Sequence, residues 1–205
     1  VLGWTERGES VAVRTDRATY TCRQVIVTAG AWAAKLLTDL QLMLTPERQV
    51  MLWVQGLRPE YFQPATFPVV YMHAAEGSFY ALPSHEGSGV KFGKYHHLEQ
   101  RVDPDAMDRE CHPEDERVLR EGVRRYFPDA DGPTLAMKTC LFTNTPDEHF
   151  IITRLAGSPI SVAGGFSGHG FKFCSVVGEV LADLALESGT RHDISLFATD
   201  RLTAR

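Results

Sequence analysis

The sequence predicts a mixed fold, part α/β and part α+β, in which a sheet flanked by helices is interrupted by an inserted antiparallel sheet. Near each end, an apolar, β-branched run stops at glycine and passes into helical spacing, at Val25-Ile-Val-Thr-Ala-Gly30 and at Ile160-Ser-Val-Ala-Gly164. Each reads as strand, glycine turn, helix. Between them, from about Leu44, strand-like runs are broken by proline and glycine, the pattern of an antiparallel sheet. At 205 residues the chain can bury a real core, as one domain or one and a fraction. The boundaries expected are 1–47 for a first part, 48–142 for the insertion and 143–205 for the return.

Taken in order, 9–14, 19–22 and 24–28 read as short strands. The continuous apolar run of the third implies burial on both faces. Gly30 then opens a helix with Trp32, Leu36, Leu37 and Leu40 inward. In the insertion, 50–54, 67–72, 79–82 and 90–95 read as strands. A helix follows at 114–126, with Val118, Leu119 and Val123 inward and its charges on a solvated face. Residues 135–142 read as another strand of that sheet, and 149–153 as a strand returning to the first part. After the strand at 160–163, helical spacing runs from Phe173 through Val176, Val177, Val180, Leu181 and Leu184. The tail from Ser188 holds one short strand, 194–197.

Composition narrows the partners. A net charge of −5 with no lysine or arginine block argues against nucleic acid and anionic membranes. No apolar run approaches the roughly 18 residues of a bilayer span. The opening residues lack a basic and apolar leader. Cys22, Cys111, Cys140 and Cys174 form no Cys-x-x-Cys pair, so reduced thiols and a cytoplasmic setting are expected. The histidines never combine with these cysteines at a zinc spacing. Ser167, in Gly-Phe-Ser-Gly, misses the nucleophile-elbow pattern.

The turn after residue 163 holds Gly164, Gly165, Gly168 and Gly170, with His169 and Lys172 beside it. Glycines let backbone approach a ligand, and a helix start offers free N–H groups and about +0.5 of a charge. That makes either a seat for an electron-rich group or a tight connection. Lys91 follows the glycine-rich Glu86-Gly-Ser-Gly89, and Cys140 lies in a strand, where a cysteine is ordinarily a small buried hydrophobe.

Four segments carry a more specific message. They are Val25-Ile-Val-Thr-Ala-Gly-Ala-Trp32, Lys91-Phe-Gly-Lys-Tyr-His-His97, Lys138-Thr-Cys-Leu-Phe-Thr-Asn-Thr-Pro-Asp-Glu-His-Phe-Ile-Ile152 and Gly165-Phe-Ser-Gly-His-Gly-Phe-Lys-Phe173. In this order they resemble the monomeric sarcosine oxidase and N-methyl amino acid oxidase family, whose members carry covalent FAD. The resemblance covers essentially the whole chain but corresponds to the later part of such an enzyme. It implies that 1–47 and 143–205 belong to an FAD-binding domain and 48–142 to a substrate domain. By the same resemblance, Cys140 is the flavin attachment point. Leu141, Ala29, Gly30, Trp32, Phe166, Gly168, His169, Gly170, Phe171 and Lys172 lie against the cofactor. Lys172 meets the substrate carboxylate, Lys91 activates oxygen and Tyr80 lies on the substrate side. His96, preferred to His97 because the match needs a one-residue insertion near Lys94, orients the amine or takes a proton. Phe142 departs from the family, which has a pocket tyrosine there.

The activity implied is oxidation of a secondary amine to an imine, with O2 reduced to hydrogen peroxide. The Gly-x-Gly-x-x-Gly fingerprint that holds a dinucleotide, with an acidic residue about 20 positions on, is absent from the sequence. The chain is therefore expected to be a portion, inactive alone, whose FAD-binding half comes from elsewhere, even from another chain. The alternatives are a catalytically silent domain and a flavin dehydrogenase subunit using another acceptor.

Overall fold

Residues 1–38 and 43–202 are described by the computed structural model, and they form two units, Val1–Pro46 with Phe142–Arg205, and Glu47–Leu141. In the first unit, β1 (Gly3–Arg7), β2 (Ser10–Arg14) and β3 (Thr19–Cys22) pair as an antiparallel meander. The sequence reading missed β1, whose residues are half-buried or exposed. Its alternation is too weak to mark it, and its pairing with β2 defines it. Next come β4 (Val25–Val27), a 3-10 turn Gly30–Trp32 and a four-residue α1 (Ala33–Leu36).

A second sheet of this unit joins β10 (Ile151–Arg154), β11 (Ile160–Gly164) and β4 in that order, β11 antiparallel to β10 and parallel to β4. All five residues of β11 are buried, because the sheet is covered on both sides. On one side Ile152 and Ala163 meet Val177, Val180, Leu181 and Leu184 of α3 (Cys174–Leu186). On the other, Ile151, Ile160, Val162 and Val27 meet Ala33, Leu37 and Leu44.

Several expectations need correction here. Two-sided burial belongs to β11, whereas edge strand β4 leaves Ile26 42 % exposed. Trp32 is 39 % exposed rather than inward, since Ala31 and Ala33 take the inner positions of the turn. Leu37 is buried as expected, and Leu40 lies outside the described residues. Val176 sits at the edge of the α3 stripe, 36 % exposed. Residues 194–197 are not a strand, because Ser195–Phe197 forms a 3-10 turn. Ile194 and Phe197, three apart, both pack against the α3 cluster, which period-two alternation does not allow.

In the second unit, β5 (Thr45–Val54), β6 (Val70–Ala74), β7 (Gly77–Leu82), β8 (Val90–Lys94) and β9 (Thr134–Asn144) form one sheet in the order β6-β7-β8-β5-β9. The β6–β7, β7–β8 and β8–β5 pairs are antiparallel. Helix α2 (Pro113–Tyr126) lies on one face, where Leu119 and Val123 pack against Val50, Leu52, Val54, Ala81, Val90 and Phe92.

The α2 charges are not all solvated, as the sequence reading had them. Arg120 is 8 % exposed and bonds Glu116, Asp131 and the Gly132 carbonyl. Asp115, 1 % exposed, accepts from both terminal nitrogens of Arg48 on β5 at 2.8 and 2.8 Å and lies 3.0 Å from His97 Nε2. It also accepts the His112 N–H at the helix start, at 2.8 Å. Burial alone would raise the Asp115 pKa, but Arg48, the His112 amide and His97 together hold it well below the usual carboxylate range. Burial pushes the His97 pKa down despite the bond to Asp115, and its buried Nδ1 has no partner among the described residues.

Removing one member of a buried ion pair strands the other, so Asp115→Ala is expected to cost about 3–5 kcal/mol in urea unfolding. Both groups bind protons more readily when unfolded. Stability therefore declines as pH falls, through the His97 term below about 6.5 and the Asp115 term below about 3.9. His97→Leu should flatten the upper limb, read as unfolding midpoint against pH.

Candidate functional site

Successive residues of a strand point to opposite faces of its sheet. On β5, Arg48, Val50, Leu52 and Val54 face α2, so Glu47, Gln49, Met51 and Trp53 take the other face. Across the sheet, Trp53 pairs with Lys91, and Met51, Gly93, Tyr80 and Tyr71 are successive cross-strand partners. The Lys91 ammonium lies 5.1 Å from the Trp53 ring centroid, a cation–π contact. Tyr80 lays its ring over Gly93, where an added Cβ would come 2.1 Å from the Tyr80 ring. The Tyr95 ring meets Tyr80 at 5.7 Å and Tyr71 at 5.3 Å.

Cys140 lies on β9, next to β5. Burial pushes its thiol pKa up, and Lys91 is close enough to draw it part of the way back. Tyr80 is likewise pushed above the usual phenol range, by burial first and then by Cys140 and Tyr95. His96 Nδ1 is 2.9 Å from Glu47 Oε2, and Gln49 Nε2 donates to Glu47 Oε1 at 2.7 Å. Of the sequence-derived candidates, Lys91, Tyr80, His96 and Cys140 thus gather on one face of this unit. Leu141 alternates to the side of Met137, which packs toward α2. Sequence reasoning missed Trp53, Tyr71, Tyr95, Glu47 and Gln49. The alternation Glu47-x-Gln49-x-Met51-x-Trp53 was the available signal, but it points at a site only once β5 is registered against β8.

In the first unit the glycine turn is closely packed by the chain's own rings. A Cβ on Gly168, whose φ is +79°, would lie 2.3 Å from the Phe142 ring, and one on Gly170 would lie 2.5 Å from Phe166. The chain's own rings therefore fill the side of these glycines on which a Cβ would stand, as a tight connection requires. Ser167 fixes the turn: it is 4 % exposed, and its hydroxyl donates to the Gly165 carbonyl at 3.1 Å and accepts the Thr145 N–H at 3.3 Å.

Beyond the turn, among the described residues no side chain caps the 3-10 segment Phe171–Phe173 or the start of α3; the Phe173 and Cys174 N–H groups donate instead to the Gly170 and Phe171 carbonyls. Lys172 Nζ donates to the His169 carbonyl at 3.1 Å and lies 5.2 Å from the Phe173 ring. His169 Nε2 is 3.0 Å from the Glu148 carbonyl, and Phe171 is 93 % exposed. His169, Lys172, Phe150, Phe173 and Phe197 border a hollow of about 470 Å³. Near the other strand end, Trp32 N–H donates to the Ala29 carbonyl at 3.0 Å, and Gly30 has φ +53°.

This fold is that of solved amino acid oxidoreductases. L-proline dehydrogenase from P. horikoshii matches with a TM-score of 0.80 at 20 % identity over 97 % of this chain and 52 % of that one. NikD, described as an unusual amino acid oxidase essential for nikkomycin biosynthesis, matches at 0.76 and 22 % over 96 % and 53 %. Residues 1–184 match DAO, the FAD dependent oxidoreductase family, and the chain belongs to that family. It is 42 % identical to monomeric sarcosine oxidase of Bacillus sp. (strain NS-129) over 93 % of this chain and 50 % of that protein. It is also 42 % identical to monomeric sarcosine oxidase of Streptomyces avermitilis, over 98 % and 54 %. N-methyl-L-tryptophan oxidase of Yersinia pestis matches at 33 %, over 93 % and 51 %. The chain spans about half the length of the curated relatives it matches.

The Gly93–Tyr80 contact can be tested directly. Gly93→Ala is expected to displace the Tyr80 ring and cost about 1–3 kcal/mol, the usual range for overpacking. Combined with Tyr80→Ala, it should cost less than the sum of the two single changes, as read by denaturant unfolding.

Proposed function

We propose that this chain carries the amine-binding sheet and part of the flavin-contacting frame of an FAD-dependent oxidase, acting on a secondary amine of the N-methyl amino acid type. The observation that supports it most is the gathering of Lys91, Tyr80 and Cys140 on one sheet face. That donor set suits a flavin: a half-buried thiol for a thioether link, an ammonium beside it, and the broad rings of Trp53 and Tyr80. Lys172, in the 3-10 turn before α3, suits negative charge. A Gly-x-Gly-x-x-Gly segment of the kind that holds an ADP half is not among these 205 residues.

FAD, when bound, accepts a hydride equivalent from the amine and hands two electrons to O2, giving imine and hydrogen peroxide. The chain's own residues supply position and charge. The Lys91 ammonium offsets the negative charge that grows on oxygen as it is reduced, a fixed electrostatic contribution made without reorganisation. Within the second unit Tyr80 and His96 bound the amine, and within the first Lys172 offers a cation suited to a carboxylate. Phe142, which by the resemblance replaces a family tyrosine, favours a larger or more apolar amine.

Supplied with FAD and the half of the family's length that it does not span, the protein should be yellow, and the colour should stay in the acid-precipitated pellet. Cys140→Ala should fold but release its flavin to the supernatant. Attachment should quicken as pH rises, because burial keeps the thiol protonated and the thiolate is the nucleophile. Lys91→Met should lower reactivity with O2 by about 10²–10³. A colourless wild-type pellet overturns covalent attachment, and unchanged peroxide formation in Lys91→Met favours a dehydrogenase instead.

A further inference from the structure

The face that carries Lys91 and Tyr80 continues across β7 and β6 as a row of aromatic rings. Tyr71 on β6 stands directly opposite Tyr80 on β7, and Tyr80 directly opposite Gly93 on β8, so the two tyrosines project to the same face. Tyr95 lies two residues beyond Gly93, and its N–H donates to the Ser78 carbonyl at 2.8 Å. Its ring stands edge-on to both tyrosines, with an interplanar angle of 78° to Tyr80 and 82° to Tyr71. His73, two residues beyond Tyr71, closes the series: its ring centroid is 4.9 Å from that of Tyr71, and its Nδ1 is 2.8 Å from Ser78 Oγ.

The row is anchored at one end and open at the other. At the inner end the Tyr80 ring covers Gly93 and lies close enough to Cys140 to feel its charge, as Cys140 feels that of Lys91. At the outer end β6 is an edge strand, and Tyr71 is 54 % exposed. One exposed tyrosine in a strand is an ordinary surface residue. Three phenol rings in edge contact, running from the thiol and the ammonium to the rim of the sheet, make a continuous wall. Neighbouring strands lie about 4.8 Å apart, so the wall from Gly93 to Tyr71 spans about 10 Å, more than a methyl group covers. Uncharged rings that present both edges and faces suit another flat ring, with centroids about 4.5–7 Å apart.

We propose that Tyr71 is a specificity-determining residue, and that the row it ends takes the aromatic side chain of an N-methyl amino acid whose amine lies toward Tyr80 and Lys91. This rests on the amine oxidase reading above and narrows its substrate class. The arene lies along Tyr95 and ends against the exposed ring of Tyr71. A substrate as small as sarcosine carries no group that reaches so far, so the two kinds of amine are told apart at the outer end of the row.

The test compares N-methyl-L-phenylalanine with sarcosine in the flavin-loaded protein. Wild type should show the higher kcat/KM for the aryl substrate. Tyr71→Leu keeps an apolar side chain at an exposed strand position but removes the ring. It should lower the ratio of the two kcat/KM values about tenfold. Tyr71→Phe should keep most of the ratio, since the ring rather than the hydroxyl makes the contact. A merely structural Tyr71 would move both substrates together and leave the ratio as it was. In the chain without flavin, saturation-transfer NMR should reach the phenyl protons of N-methyl-L-phenylalanine, and the signal should drop in Tyr71→Leu. A wild-type preference for sarcosine, a ratio unmoved by Tyr71→Leu, a Tyr71→Phe loss as large as that of Tyr71→Leu, or a phenyl signal that is absent or indifferent to Tyr71→Leu overturns the proposal. If the loaded protein oxidises no amine, the oxidase reading fails, while the phenyl signal still decides whether Tyr71 meets the arene.

Discussion

Strand β5 leaves the second unit no freedom of register, and the candidate site depends on that. One side of the strand carries Arg48, Val50, Leu52 and Val54 into the space beneath α2, and the other carries Glu47, Gln49, Met51 and Trp53. A slip by one residue would exchange the two sets. It would expose three fully buried aliphatic side chains, each contributing about 1.5–3 kcal/mol by burial. It would also strand Asp115, whose partner Arg48 satisfies it with two bonds of 2.8 Å. The buried pair is weak evidence for net stability, since desolvating two charges offsets much of their attraction. Its consequence is registry: the wrong alignment leaves a buried charge unpaired.

Fixing β5 fixes its neighbours. Trp53 opposite Lys91 and Met51 opposite Gly93 align β8, and Gly93 opposite Tyr80 aligns β7. The ammonium, the phenol and the thiol thus owe their proximity to a ladder whose other face is a hydrophobic core. Burial keeps the thiol and the phenol protonated, so the positive charge of Lys91 stands among neutral groups rather than in an ion pair with them. In a partly desolvated place such a charge acts strongly on an anion arriving at the face.

How much of this was legible depended on whether a feature is local. β11 and α3 were plain, because a short, mostly apolar run and a three-and-four spacing are each written within one segment. The core positions of α2 were equally plain. β1 was not, since it is defined by β2 rather than by its own alternation. Burial of Asp115 and Arg120 was hidden because their partners, Arg48 and Asp131, lie on other elements. Lys91, Tyr80, His96 and Cys140 came into view through resemblance rather than pattern, as each has an unremarkable local setting. Trp53, Glu47 and Gln49 stayed hidden because their facing follows from strand register, which the residues of one strand do not encode.

The glycine turn shows where a local reading leaves two alternatives open for a physical reason. Glycine is required both where a ligand approaches backbone and where a neighbouring side chain does, and the sequence does not separate the cases. Here the Phe142 ring occupies the space beside Gly168, and Phe166 that beside Gly170. Ser167, at φ +47°, ties the turn to Thr145 and Gly165 between them. Phe142 is therefore a packing partner of the turn that presents His169 and Lys172. Any change at Phe142 acts through the space beside Gly168 as well as through lost or gained polarity. A Phe142→Tyr exchange therefore cannot be treated as the addition of a hydroxyl to an otherwise unchanged turn.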